Sequence, residues 1–392
     1  MEETSKIVNT GLRGVPVAST RIGFIDGETG KLLYRGYRIQ DLAKHATYEE
    51  VVHLLLWDRL PEKGELEGLR ESLTRARSLP DDVIAALKTR PAGARPMDVL
   101  QAAVPMLAAD DPDLDDTSKE ASRRIGLRLV ARFPTVVAAW DRIRNGLQPI
   151  PPDPELGHAA NALYMLTGET PDQEIARVLD LCLILHAEHS FNASTFAARE
   201  VCSTRAHMYA AVAAAVGSLS GELHGGANAR VMQTLMDIGS VDAVGDYVQR
   251  SLDSGGKIMG MGHAVYQTMD PRAEILDPVS RQLGERIGDT TWYQMTKELE
   301  HKTREAFYER KGRDIYPNVD FFSASVYYSM GFPVDLFTPL FAISRVAGWA
   351  AHIIEEQHAE ASSKPVLYRP SSEYVGDYCG PDECEFVPME QR

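Results

Sequence analysis

The chain has 392 residues, with 41 Lys and Arg against 56 Asp and Glu, and a formal net charge of −15. Apolar residues make up 44% and charged residues 25%, enough apolar surface for a large core, which excludes disorder over most of the length. The acidic balance argues against a nucleic-acid partner, which needs a basic face, and against docking on an anionic membrane.

Length alone fits two or three domain-sized units. No apolar run reaches the roughly 18 residues expected of a membrane helix. The first ten residues, MEETSKIVNT, have neither the apolar stretch of a signal peptide nor the Arg-rich character of a transit peptide. Four cysteines are too few for a disulfide framework, and Cys379 and Cys384 lack metal-site spacing. All four are expected as unlinked thiols in a reducing cytoplasm.

In chain order, GFIDGETGKLLYRG reads as a small β-hairpin, two apolar runs turning at Asp26-Gly27 and Gly30. Everything after it has helical character. Thr47 and Glu50 form a capping box ahead of an apolar run starting at Val51. Helical patterns continue between loops at Pro91–Pro96, at DDPDLDD and at PIPPDPELG, the last read as a surface connection. Thr170, Pro171 and Gln173 read as N-cap, first turn and capping-box partner of a helix. Its apolar stripe runs Ile175, Val178, Leu179 and Cys182 to His186 and His189. A helix apolar nearly all round follows Thr338-Pro339 and is expected to be buried. The fold class is all-α.

Four places and one arginine point to chemistry. His186 and His189 share one predicted helix face, yet HAEH lacks zinc-motif spacing and no third ligand stands nearby, so no metal is expected. His224 precedes two glycines and a helix starting near Ala227, which aims free N–H groups at the same region. The stretch GKIMGMGHAVYQTMDPR, with His263 and Arg272, has glycines at 255, 256, 260 and 262 that suit backbone wrapping of a bulky ligand. Asp320, in IYPNVDFFSAS, taken alone reads as an ordinary N-cap with Ser323 three residues on. Arg345 lies inside the most apolar helix, where a guanidinium needs an anionic partner, either a protein carboxylate or a bound one.

In combination these residues resemble the citrate synthase family from end to end. Ser19 through Ala43 fits its N-terminal signature. LHAEHSFNASTF, GELHGGAN, GMGHAVYQTMDPRA, YPNVDFFSA, FTPLFAISRVAGWAAH and YRPSSEYVG then follow in the family's order. The resemblance implies an all-helical homodimer, with residues 1–225 and 331–392 in a large domain and 226–330 in a small one. It implies condensation of acetyl-CoA with oxaloacetate, then hydrolysis of citryl-CoA.

His224 matches the family histidine that hydrogen-bonds the thioester carbonyl, His263 the one that polarises the oxaloacetate ketone, and Asp320 the general base. His189, Arg272 and Arg345, with His224 and His263, match oxaloacetate positions, and Arg369 matches an arginine contributed across the dimer. Lys257, Ile258, Met259, Gly260, Gly262 and Lys311 are expected along the CoA. Acetyl-CoA is a substrate, and no cofactor is implied.

Two positions depart from the family pattern. Ala264 and Gln267 stand where many bacterial members have cations that face CoA phosphates, and Lys257, Lys311 or Arg313 is expected to supply part of that charge. The absence of an extra N-terminal domain before the signature points to the simple dimeric form. The tail after Gly376 is expected to drape over the partner subunit. A 2-methylcitrate synthase using propionyl-CoA shares every motif, and a non-catalytic CoA- or citrate-binding paralogue remains the rival of another class.

Overall fold

The computed structural model describes residues 11, 12, 14–372, 374 and 384–392. A small antiparallel sheet comes first: β1 (Gly23–Asp26), β2 (Lys31–Tyr34) and β3 (Tyr37–Arg38), with Phe24 opposite Leu33 and Tyr34 opposite Tyr37. The expected hairpin thus gains a third short strand, because Arg35 (φ 46) and Gly36 (φ 89) turn the chain back at once. Helices follow: α1 (Ile39–His45), α2 (Tyr48–Trp57), α3 (Lys63–Ala76), α4 (Asp81–Lys88), α5 (Pro96–Met106), α6 (Lys119–Arg144), α7 (His158–Thr167) and α8 (Gln173–His186). Then come α9 (Ala193–Ser203), α10 (Met208–Leu219), α11 (Ala227–Ile238), α12 (Val244–Asp253), α13 (Pro271–Ile287), α14 (Thr291–Lys311), α15 (Val319–Ser329) and α16 (Phe337–Gln357).

The core is built round α16. Residues 337 to 356 are all buried, and the helix packs on α2, α6, α8, α9 and α10. Each buried Leu, Ile or Phe side chain there contributes about 1.5–3 kcal/mol by leaving water. By length and composition the stretch Val334–Gln357 is long and apolar enough to cross a membrane, contrary to the expectation of no such run, but it is wholly buried inside the protein. Helices α11 to α15 pack largely on one another, α13 and α11 against α15 and α12 against α14. A contact of α1 with α13 joins them to the N-terminal region.

Local signals hold in part. Thr47 and Glu50 form the expected capping box. Thr170 does not cap α8: Asp172 does, its carboxylate accepting the Glu174 and Ile175 N–H groups, so the helix begins beyond Pro171. Two acceptor bonds from a carboxylate outweigh the threonine signal. α8 ends at His186, so His189 lies beyond the helix and not on its stripe.

Asp320 is not an N-cap. Asn318 takes that position by accepting the Asp320 N–H at 3.0 Å, which leaves the Asp320 carboxylate free of capping. Cys182 and Cys202 are free and buried, but Cys384 is disulfide-bonded, against the expectation of unlinked thiols. It lies in an exposed segment outside the helices, where absence of metal spacing carries no information about thiol pairing. The proposed partner-embracing tail falls outside the described residues over 375–383; beyond it Phe386 and Met389 are exposed.

Candidate active site

His189 follows α8 after a break at Ala187, and Ser190 then takes a left-handed conformation (φ 49) that swings the chain into α9. Asn192 caps α9 by accepting the Thr195 N–H at 3.0 Å, and its Oδ1 lies 2.8 Å from Ser194 Oγ. These bonds place Ser194 beneath His224, which enters from the turn between α10 and α11. Ser194 donates its backbone N–H to His224 Nε2 at 3.1 Å, and its Oγ stands 2.8 Å from the same nitrogen. Trp349 Nε1 on α16 donates to Ser194 Oγ at 3.1 Å, locking the group from below.

A nitrogen that accepts a backbone N–H carries no proton of its own in the neutral ring. The His224 proton therefore sits on Nδ1, which has no protein partner among the described residues. Burial lowers its pKa to about 4, with the Arg345 charge acting in the same sense, so the ring is neutral near pH 7.

His263 is held by its own loop. Its Nδ1 accepts the N–H groups of Val265 at 2.9 Å and Tyr266 at 3.2 Å, which puts the proton of the neutral ring on Nε2. Burial, then Arg272, lowers its pKa to about 4. The loop reaches this shape through Gly260 (φ 78), where a Cβ would sit 2.7 Å from Val231 and 2.8 Å from Phe321. The His189 and His263 rings stand 5.3 Å apart, and Tyr266 OH lies 3.3 Å from His189 Nε2. Burial and the neighbouring cations hold His189 well below the ordinary histidine range.

Two arginines share this pocket under different conditions. Arg272, in the first turn of α13, pairs with the buried Asp270 through Nε–Oδ1 at 3.0 Å and Nη2–Oδ2 at 2.7 Å. Asp270 also accepts the Val319 N–H at 3.2 Å, tying the starts of α13 and α15 together. Burial acts against the Arg272 charge, but Asp270 outweighs it, and the pKa moves up. Arg345 on α16 donates Nε to the His186 carbonyl and lies over the Phe341 ring at 4.6 Å, yet makes no ion pair among the described residues. Burial therefore dominates and lowers its pKa to about 10. Of the two partners expected for Arg345, no protein carboxylate forms an ion pair with it among the described residues, although the charges of Glu188 and Asp320 favour its own.

Asp320 sits in the first turn of α15, with Oδ1 shut off from solvent and without a hydrogen-bond partner among the described residues. Burial pushes its pKa up to about 6; the charges of Arg272 and Arg345 oppose the shift and Asp270 adds to it. The structure thus gathers His189, His224, His263, Arg272, Asp320 and Arg345 into one group whose charges act on one another. It does not bring in Arg369, which is exposed and makes no ion pair or hydrogen bond among the described residues. Of the expected CoA residues, Ile258 and Gly260 are buried, while Lys257 and Lys311 are exposed.

Sequence reasoning passed over Ser194, Tyr266, Asp270 and Leu223. The last lies next to His224 and is 96% exposed, an apolar surface open to a ligand. Among the described residues no group of three or more His, Cys, Asp or Glu is placed to hold a metal.

A family model described as citrate synthase, C-terminal domain, matches residues 11–371. The chain belongs to the citrate synthase family. A citrate synthase from Synechocystis sp. is 43% identical over 399 residues, covering all of this chain and 96% of the relative. The crystal structure of citrate synthase from Pyrobaculum aerophilum superposes with a TM-score of 0.90 at 40% identity, covering 99% of this chain and 98% of that one. A ternary complex of carboxymethyl coenzyme A and oxaloacetate with citrate synthase from Thermoplasma acidophilum gives 0.89 at 32% identity, covering 98% and 99%.

Proposed function

We propose that this enzyme condenses acetyl-CoA with oxaloacetate and hydrolyses the citryl-CoA thioester to citrate and CoA. The observation that carries this reading is the protonation pattern of the site. Two neutral histidines each have a free N–H, and a buried carboxylate with an unpartnered oxygen lies between buried arginines.

Asp320 takes a proton from the acetyl methyl group. The negative charge forming on the thioester oxygen is met by Nδ1–H of His224, in the manner of an oxyanion hole. The enol carbon then attacks the oxaloacetate ketone, and Nε2–H of His263 donates to the oxygen that becomes alkoxide. Water finally cleaves the thioester, releasing CoA.

Arg345, without an ion pair among the described residues, suits a substrate carboxylate, and His189 and Arg272 complete the clamp. We place Arg369 in the partner's site of a homodimer, consistent with its lack of any partner among the described residues. Residues 226–330 form the small domain in this reading, and Leu223, Lys257 to Gly262 and Lys311 face the CoA. Base, acids and clamp are all side chains, so no cofactor is needed. The free, buried Cys182 and Cys202 suit a reducing cytoplasm, whereas the Cys384 disulfide does not.

The test is CoA release followed with a thiol reagent at fixed oxaloacetate, with acetyl-CoA and propionyl-CoA compared. Faster turnover with acetyl-CoA is expected, by a margin bounded by the roughly 1–3 kcal/mol of one methylene. A propionyl-CoA preference would move the enzyme to 2-methylcitrate synthesis. No release with either would overturn the proposal in favour of a binding paralogue.

A further inference from the structure

Glu188 stands between the two histidines of HAEH and takes no part in the steps above. It is 0% exposed. Its Oε1 accepts the Ser190 backbone N–H and lies 3.2 Å from His352 Nε2. The His352 tautomer is fixed from behind: Arg199 Nη1, which can only donate, stands 3.1 Å from Nδ1, so the proton is on Nε2 and points at Glu188. Arg199 is itself held by Glu355 at 2.8 Å and Glu356 at 2.6 Å, and lies 4.7 Å over Phe191.

Room for the Glu188 carboxylate is made by two glycines from distant elements. A Cβ on Gly23 of β1 would sit 2.6 Å from Oε1, and one on Gly348 of α16 would sit 2.9 Å from Oε2. Oε2 has no hydrogen-bond partner among the described residues.

What this arrangement supports is a strained turn. A serine at φ 49 lies in the strained left-handed region and persists only where its surroundings impose it. The Ser190 N–H is the group Glu188 takes. On one side of the turn is His189; on the other is Asn192, which positions Ser194 and so His224.

We propose that Glu188 is a positioning residue of the oxaloacetate clamp, acting as the hydrogen-bond acceptor that fixes the Ser190 turn and with it His189. The proposal rests on the reading of His189 as an oxaloacetate ligand. Both donors reach the same oxygen, so an amide oxygen serves as well as a carboxylate. The Glu188 charge also acts on Arg345, and substitution separates that influence from the acceptor role.

The experiment compares the wild-type full chain with E188Q and E188D. Oxaloacetate binding is measured by titration calorimetry without acyl-CoA, and CoA release gives KM for each substrate. E188D keeps the charge but is one methylene short of the Ser190 N–H. It is expected to raise Kd and KM for oxaloacetate about 10- to 100-fold, as misplacement near a site does, with KM for acetyl-CoA within about twofold. E188Q keeps the acceptor and is expected to stay within about threefold of wild type for oxaloacetate.

Ser190→Gly in the E188D background removes the strain and is expected to recover at least about threefold, because glycine adopts φ 49 freely. Unchanged oxaloacetate parameters in E188D, equal losses in E188Q and E188D, or parallel rises for both substrates would each overturn the proposal. If E188D does not fold, E188A with and without S190G takes its place, with the same rise in Kd and KM for oxaloacetate and the same partial recovery expected, and unchanged oxaloacetate parameters in E188A would overturn the proposal. A wild type that binds no oxaloacetate and releases no CoA sinks the proposed function and this role together; one that does both while E188D is unaltered sinks only the role.

Discussion

The Ser194 backbone N–H stands 3.1 Å from Nε2 of His224, and this single contact decides which nitrogen of the ring can donate. A backbone amide cannot change its role, so the neutral imidazole must keep its proton on Nδ1. His224→Ala should therefore lower kcat for CoA release about 10²–10³-fold, the loss associated with removing one oxyanion donor. KM for oxaloacetate should move far less. Steady-state kinetics at saturating acetyl-CoA checks this, and a loss confined to KM would contradict the assigned role.

Activity should fall on the acid side through the ionisation of Asp320. Its pKa is pushed up to about 6 by burial, and only the carboxylate form accepts the methyl proton. A plot of log kcat/KM for acetyl-CoA should rise with unit slope and level off above about pH 6. His224 and His263, lowered to about 4, add no limb near 6.5. Asp320→Asn should abolish the limb and cost about 10²–10⁴-fold in rate.

Stability follows a different sign. Asp320, raised in the fold from 3.8 to about 6, favours the folded state below pH 3.8 and loses that contribution as pH rises through 6. His224 and His263, lowered from 6.5 to about 4, favour the folded state above pH 6.5 and lose that contribution as pH falls towards 4. Two histidines against one carboxylate should give net destabilisation between pH 6.5 and 4. Thermal melts of wild type and of a His224→Gln, His263→Gln double variant should diverge over that window, the variant falling less.

The two pocket arginines should separate in a melt. Arg272→Met leaves Asp270 buried and unpaired, which costs about 3–5 kcal/mol for a broken buried pair. Arg345→Met breaks no ion pair among the described residues and removes a charge that burial disfavours, but it also takes a favourable charge from the buried Glu188, so its melting temperature should fall much less than that of Arg272→Met. Both should weaken oxaloacetate binding strongly. Equal melting temperatures for the two variants would contradict this account of the pocket.

Lys257 and Lys311 are exposed, and neither makes an ion pair with its neighbours in the described structure. Replacing either by Ala should raise KM for acetyl-CoA about three- to tenfold and flatten its salt dependence, as loss of a screened phosphate contact does. KM for oxaloacetate is the internal control. An unaltered KM for acetyl-CoA in Lys257→Ala would remove that lysine from the site.

The proposed reacting side chains were picked out in the sequence by the family resemblance: taken alone, His224 beside two glycines and Asp320 ahead of a helix read as ordinary helix starts, and only Arg345 in an apolar helix called for a partner. Their supports were not picked out. Ser194 meets His224 across 30 residues, Tyr266 meets His189 across 77, and Asp270 meets Val319 across 49. Such pairs are set by how helices pack, and nothing local marks them. Local reading also misassigned the caps at Thr170 and Asp320. In each case a neighbouring Asp or Asn offered the helix a better acceptor than the residue the pattern favoured. The all-helical class was plain from periodicity, whereas the third strand hangs on two consecutive positive-φ residues, Arg35 and Gly36, that no periodicity reveals.

Arg345, buried and without an ion pair among the described residues, makes the proposed substrate a missing piece of the folded molecule. A dianion that binds only the folded chain lowers the unfolded population by mass action. The enzyme is then most exposed to proteolysis when its substrate is scarce, and supply of the metabolite sets not only how fast the protein works but how long each copy lasts.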